Sequence, residues 1–334
     1  MKKILSLILS ILMIASLAAC GSEQPAADEN KTEEAAALKF GSAVYVAAPS
    51  ATDASADANG TGKLDVTVAA VTVDADGKIV ACALDTMSNS VSYTTEGKAV
   101  AGSEFKTKYE LGKDYNMVAY GGATKEWFEQ ADAFEAAVAG KTLDEVKALV
   151  VDGYKAGDAL VAAGCTISVG DFVGAVEKAY NAAAESAVTA NDTLKVALHT
   201  DLTSKDASAD ANGSQKVSVY TCAAAVNAEG KIVKSVSDCV EVEFTFDTKG
   251  ASAFDASAAV QSKREKGADY GMVAYGGAAK EWFEQADAFD AACTGKSAAE
   301  IAGLMGEDYK GNADVQAAGC TIYVSGLVAA ATKI

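Results

Sequence analysis

The 334-residue chain has one histidine, two prolines and far fewer basic than acidic residues. His199 stands where the aligned sequence copy described below has Val46, so no site needed in both copies can use it. His-based triads and histidine-rich metal centres are excluded. Lysine and arginine number 28 against 46 aspartates and glutamates, a formal charge of −18. Such a field repels nucleic acid and anionic lipid, so nucleic acid is not an expected partner; the acidity itself names no substrate. After residue 19 no apolar run approaches membrane-spanning length. With 50% apolar residues and prolines only at Pro25 and Pro49, the chain has the composition to build two ordinary domains with real cores.

The N-terminus has its own pattern. Lys2 and Lys3 precede an apolar stretch from Ile4 to Leu17, and Ala18 and Ala19 lead into Cys20. Residues 1–19 read as a signal peptide and not as a transmembrane span. Leu17-Ala18-Ala19-Cys20 matches the lipobox of bacterial lipoproteins, in which the thiol is acylated and cleavage makes the cysteine the new N-terminus. The expectation is an extracytoplasmic protein held at a cell membrane by lipid on Cys20, durably so with more than one acyl chain. Loss of the leader takes the formal charge to −20. Residues 20–37, polar and acidic, are expected to be a flexible tether.

Self-alignment yields the strongest internal signal. Asp114 to Glu135 and Asp269 to Asp290 agree at 19 of 22 positions with an offset of 155, and DASADANG recurs at Asp53 to Gly60 and Asp206 to Gly213 with an offset of 153. The expected domains are residues 38–190 and 191–334, with the boundary near Asn191. Six cysteines remain besides Cys20. Only Cys165 and Cys320 match between the copies, so no shared disulfide framework is expected, and buried free thiols are.

Within the first copy, Val- and Thr-rich Leu64 to Val73, the turn Asp74-Ala75-Asp76-Gly77 and Lys78 to Asp85 predict a β-hairpin. Lys216 to Val226 and Lys231 to Asp238 repeat it around Asn227-Ala228-Glu229-Gly230. Trp127, Ala131, Phe134 and Val138 fall at helical spacing, with Gly140 as the stop. The matching stripe is Trp282, Ala286, Phe289 and Cys293. These stripes are read as core, although Trp and Phe could also form a stacking platform. Thr142 and Glu145 predict a capping box, and Phe172, Val176 and Tyr180 share a face of a last helix. The class is α+β, as two tandem repeats, each an antiparallel sheet packed by helices and ending in a turn-to-helix motif. The two DASADANG segments are expected to be solvated turns rather than calcium loops.

Ala163-Gly164-Cys165-Thr166-Ile167-Ser168 and the helix expected from Val169 carry the chemistry. A glycine permits close approach, hydroxyls donate, and exposed amides at a helix start favour an anion such as phosphate. Equally, Ser168 could cap the helix with Asp171 completing the pair. Cys165 and Cys320, near those amides, could have stabilised thiolates, or could be buried and inert. The Tyr120-Gly121-Gly122-Ala123 and Tyr275-Gly276-Gly277-Ala278 loops could likewise cradle an anion or let a helix pack closely.

Gly164, Thr166 and Ser168, with Ala175-Val176-Glu177-Lys178-Ala179 and Asp76-Gly77-Lys78-Ile79, resemble the FMN-binding domain found in flavin-carrying subunits of ion-pumping redox complexes and in exported lipoproteins. The signature there is Ser-Gly-Ala-Thr-x-Ser/Thr, and its threonine can carry FMN through a phosphoester. The resemblance implies a flavoprotein passing electrons to a redox partner. Thr166 and Thr321 are the implied attachment points, with Gly164, Cys165, Ser168, Gly319 and Cys320 around them. Ala163 and Ala318 stand in place of the serine, and Cys165 and Cys320 in place of the alanine. The other expectation is therefore a cofactor-free structural or ligand-binding lipoprotein that kept the fold.

Overall fold

The computed structural model describes residues 35–102 and 104–334. The expected leader, Cys20 and the expected tether as far as residue 34 lie outside the described residues. The chain forms strands β1 (Ala37–Val46), β2 (Ser50–Thr52), β3 (Gly60–Val73), β4 (Ile79–Tyr93) and β5 (Ala99–Val100). Helices α1 (Lys108–Leu111), α2 (Trp127–Val138) and α3 (Leu143–Lys147) follow, then the small hairpin β6 (Val150–Val151) and β7 (Lys155–Ala156), α4 (Asp158–Ala163) and α5 (Gly170–Asn181). The remainder comprises β8 (Ala184–Thr189), β9 (Thr193–Lys205), β10 (Gly213–Val226), β11 (Ile232–Phe246), α6 (Lys263–Lys266), α7 (Trp282–Cys293), α8 (Ala298–Ile301), α9 (Ala313–Ala317) and α10 (Ser325–Ala331). The class is α+β with antiparallel sheets.

Both long hairpins form around the turns that their sequences predict. Asp74 Oδ1 accepts from the amides of Asp76 and Lys78 at 3.0 and 2.8 Å, and Gly77 takes φ +77°. Asn227 Oδ1 does the same for Glu229 and Lys231 at 3.1 and 2.9 Å. A short side-chain acceptor replaces backbone partners, and the glycine supplies the left-handed residue. The strands run further than expected, to Tyr93 and Phe246, because Met87, Asn89, Val91 and Tyr93 stay buried while Ser88 and Ser90 face out. The same period continues through a more polar stretch.

The first sheet has the order β5-β4-β3-β1-β8, with β2 also on β3; the second has the order β11-β10-β9. Pro49, which has no N–H, separates β1 from β2, whereas β9 runs unbroken through Leu202 at the matching position. The strand β1 takes Ala37 from the expected tether. The alanine-rich stretch after α5 becomes β8 on the edge of β1, and the expected boundary near Asn191 falls in the turn where the chain passes to the second sheet.

Strands β3 and β10 are buried on both faces. Val71, Val73 and Leu84 meet Phe134 and Val176 of α2 and α5 on one side of the first sheet. Cys222, Ala224 and Val226 meet Phe289 and Leu327 of α7 and α10 on the second. Between the sheets, Leu64, Val66, Val68 and Met87 face Val217, Val219, Val240 and Phe244. The layers are thus helices, sheet, sheet, helices, and residues 35–334 form one compact unit. Tyr93 and Phe246 stack across it with ring centroids 4.3 Å apart.

Polar braces cross between the halves in reciprocal pairs. Lys178 pairs with Glu265 at 2.5 Å and Lys333 with Glu110 at 2.8 Å. The DASADANG turns are exposed, but their first aspartates are structural: Asp53 accepts from the Ser252 amide at 2.8 Å, and Asp206 from the Ala99 amide at 2.9 Å. The six cysteines among the described residues are free, and all but Cys82 are buried.

Candidate functional site

Helix α4 ends at Gly164, and α9 runs out just before Gly319; their φ angles of +96° and +103° suit glycine. Two residues on, Thr166 is exposed. Its amide and Oγ1 both donate to Gln130 Oε1, at 2.9 and 3.0 Å. Gln130, 1% exposed, donates in turn to the Lys125 carbonyl at 3.1 Å. The arrangement repeats at Thr321, whose amide and Oγ1 donate to Gln285 at 2.8 and 3.0 Å, with Gln285 donating to the Lys280 carbonyl at 3.0 Å. Each hydroxyl proton is committed to a buried amide oxygen, so the oxygen lone pairs turn to solvent. A side-chain ammonium lies at each turn: Lys125 and Lys280 fill the space that a Cβ on Gly164 or Gly319 would take, and Lys280 Nζ donates to the Ala318 carbonyl at 3.4 Å.

Three expectations about this turn are corrected. Helix α5 starts at Gly170 with Val169 at its N-cap and no capping side chain; Ser168 forms a β-bridge with Lys155 instead. It is one residue too early to cap, and Asp171 completes no capping pair. The amides expected to await an anion are already taken, since those of Val169 and Gly170 both donate to the Tyr154 carbonyl at 2.7 and 3.2 Å. Val324 does likewise with Tyr309 at 2.8 Å. The thiols of Cys165 and Cys320 are buried in the helix-side cores, out of reach of any ligand at the turn. Burial pushes both thiols up, Cys320 to about 11, against partial relief from a backbone amide and a lysine. They are buried, inert thiols rather than thiolates.

The glycine-pair loops hold a carboxylate of the protein itself. Glu126 Oε2 accepts from the Met117 amide at 3.0 Å, and Glu281 Oε2 from the Met272 amide at 2.9 Å, so an external anion would meet negative charge there. These loops do not run straight into helices either; α2 and α7 begin after Glu126 and Glu281, each of which forms a capping box.

Thr321 opens on a cleft of about 510 Å³. Its aromatic lining is Tyr220, Tyr270, Trp282 and Tyr323, and its charged residues are Lys263, Lys310 and Glu241. Lys263 Nζ lies 5.0 Å from the Tyr270 ring centroid and 5.4 Å from that of Trp282, and pairs with Glu241 at 3.2 Å. Trp127 and Trp282 are core residues, as the helical stripe predicts; an edge of Trp282 also lines the cleft. Apolar rings beside fixed cations suit a planar ligand bearing negative charge. Gln130, Gln285, Lys263 and Tyr270 are the contributors that the motif did not nominate. A glutamine on the buried face of an otherwise apolar helix, one turn after Trp127 or Trp282, was the available signal.

The glutamine latch has a measurable weight. Gln130→Leu leaves the Thr166 amide and the Lys125 carbonyl without this partner and is expected to cost about 1–2 kcal/mol, since a hydrogen bond lost at a half-buried site costs about 0.5–1.5 kcal/mol. Urea unfolding of the variant beside the parent chain measures it. A midpoint within error of the parent's would mean that the latch is not structural. Compared with models of protein families, with curated proteins and with solved structures, the chain matches none.

Proposed function

We propose that the chain is an exported lipoprotein, anchored at a cell membrane by lipid on Cys20, with residues 38–190 and 191–334 as two copies of one FMN-binding-type domain on the extracytoplasmic side. It carries flavin at Thr321 and Thr166 and passes electrons to a redox partner protein. The lipobox supports the anchor. Support for a duplicated domain comes from the order hairpin, paired helices, turn and final helix, which recurs at offsets of 153 and 155, and from the reciprocal Lys178–Glu265 and Lys333–Glu110 pairs.

The observation that carries the flavin reading is the threonine hydroxyl itself, exposed and held by a buried glutamine at both positions. Buried glutamine fixes Oγ1 in place, and Lys280 sits where it can neutralise a phosphate on Thr321. The cleft beside Thr321 falls in the range of about 300–1,000 Å³ that small-molecule sites occupy. Tyr270, Trp282 and Tyr323 would flank a ring system there, and Lys263 and Lys310 would bias it toward negative charge. FMN, when bound, supplies the redox chemistry; the chain's residues hold it and set its electrostatic surroundings. The amides around each turn are already paired within the protein. That observation favours the second reading, a cofactor-free ligand-binding lipoprotein.

A visible absorption spectrum and an intact mass of residues 36–334, made in a host with and without flavin-attachment machinery, decide between them. Yellow protein with added FMN mass in the first host is the expected result, with peptide mapping to Thr321 or Thr166. Colourless protein of unmodified mass that also fails to bind added FMN would overturn the flavin reading.

A further inference from the structure

A second site is built by the carboxylates of β4 and α2. In the C-terminal half, Asp287 and Asp290 of α7 clasp the guanidinium of Arg264, at 2.7 and 2.9 Å, and Arg264 Nε donates to the Ser237 carbonyl. The Ser237 hydroxyl and amide complete the shell of Asp290 at 2.6 and 2.9 Å. At the matching sequence positions, 155 residues earlier on the helices and 153 on the strand, Asp132 and Glu135 keep the acids, Asp85 keeps Asp238, but Tyr109 replaces Arg264 and Leu84 replaces Ser237. The acids remain, and an uncharged tyrosine stands at the position of the arginine.

Beside them lies a notch of about 280 Å³ lined by Tyr109, by the acids Asp85, Asp132 and Glu135, and by Lys195 and Lys333. Tyr109 donates to Asp132 at 2.6 Å, and Glu135 Oε1 has the Leu84 amide at 2.7 Å. The Cys82 thiol of β4 also faces Glu135. Glu110 of α1 and the Leu198 carbonyl of β9 both hold Lys333, at 2.8 Å each, and Lys195 of β9 lies exposed at the rim. Leu194 and Val196 offer an apolar wall for an aliphatic stem.

We infer that this notch takes a guanidinium group from outside the fold, beside Tyr109 and against the carboxylates that match those holding Arg264 in the other half. The bidentate fit of a planar guanidinium to paired carboxylates distinguishes it from an ammonium. The inference is independent of flavin, because none of these residues touches Thr166 or Thr321. Burial raises Glu135, and Asp132 and Asp85 raise it further against the single amide bond, to about 8. A bound cation favours the ionised carboxylate, so affinity should increase as pH rises toward that value, with protons released on binding.

The test is titration of the full chain with arginine amide, with norleucine amide as the uncharged-side-chain control, read by calorimetry and by thermal melting. Arginine amide is expected to bind at least ~10-fold tighter than norleucine amide, and Glu135→Gln to weaken it by ~10-fold, the ratio that one lost charge-assisted contact of about 1.4 kcal/mol produces. Tyr109→Arg should supply the cation internally, abolishing binding and raising the melting temperature. An arginine-bearing extended peptide distinguishes the sources: tighter binding than arginine amide points to a partner's side chain, equal binding to a free guanidino compound, and both support the site. Equal affinity for arginine amide and norleucine amide, or no effect of Glu135→Gln, overturns it.

Discussion

The double variant Thr166→Ala/Thr321→Ala is expected to emerge colourless and at unmodified mass from a host in which the parent chain carries flavin, while melting within a few degrees of the parent. Both side chains are exposed. Each loses one hydroxyl bond to its glutamine but keeps the amide bond to the same oxygen. The stability cost should be about 0.5–1.5 kcal/mol per site, the net value of an ordinary hydrogen bond. The pairing of a large chemical loss with a small folding loss separates an attachment point from a core residue. The single variants assign the load: the cleft of aromatic rings and lysines beside Thr321 leads us to expect the larger loss of colour from Thr321→Ala. Covalent flavin persisting on the double variant would sink the assignment.

Arg264→Met is expected to have the largest effect on stability, about 3–5 kcal/mol, because it removes one partner of a buried ion pair and strands the other. Asp290 is 4% exposed, and among the described residues Arg264 is the cation paired with it, beside serine and backbone donors. Burial already holds Asp290 above the usual carboxylate range, with Arg264 and the Ser237 donors pulling against it. Without the arginine its folded value rises further. A raised folded value destabilises once pH exceeds the unfolded value, so the deficit of the variant is greatest near neutrality and shrinks as acid protonates Asp290 in the folded state. Thermal melts of parent and variant at pH 7 and pH 5 test the sign; a deficit that is the same at both would show that charge burial is not its cause.

The contrast between the halves explains why a site can be hidden in a repeated sequence. Glu135 and Asp290 look like a conservative exchange at the end of a 22-residue match. Their surroundings are set by Tyr109 or Arg264 and by Leu84 or Ser237, which lie outside that match or on another element. Arginine at position 264 meets its carboxylates with the protein's own charge, whereas tyrosine at 109 meets Asp132 with an uncharged hydroxyl.

Local structure was legible. The Asp74–Gly77 and Asn227–Gly230 turns, the Thr142–Glu145 capping box, the stop at Gly140 and the buried stripe Trp127, Ala131, Phe134 and Val138 all depend on residues within a few positions of one another, and all are found. The fold class follows from their order. The recurrence of Asp114–Glu135 at Asp269–Asp290 is a property of the sequence alone. The tertiary structure decided what lies at long range. Leu64, Val66 and Val68 alternate with Ala69, Val71 and Val73, and only sheet stacking tells that both sets are buried, one against β10 and β11, the other against helices. Gln130 reaches Thr166 across 36 residues, and the Tyr154 carbonyl consumes the helix-start amides that the turn sequence advertised. Spacing along a chain fixes which backbone groups are free before folding; which of them remain free depends on acceptors that arrive from elsewhere, and those are placed by packing.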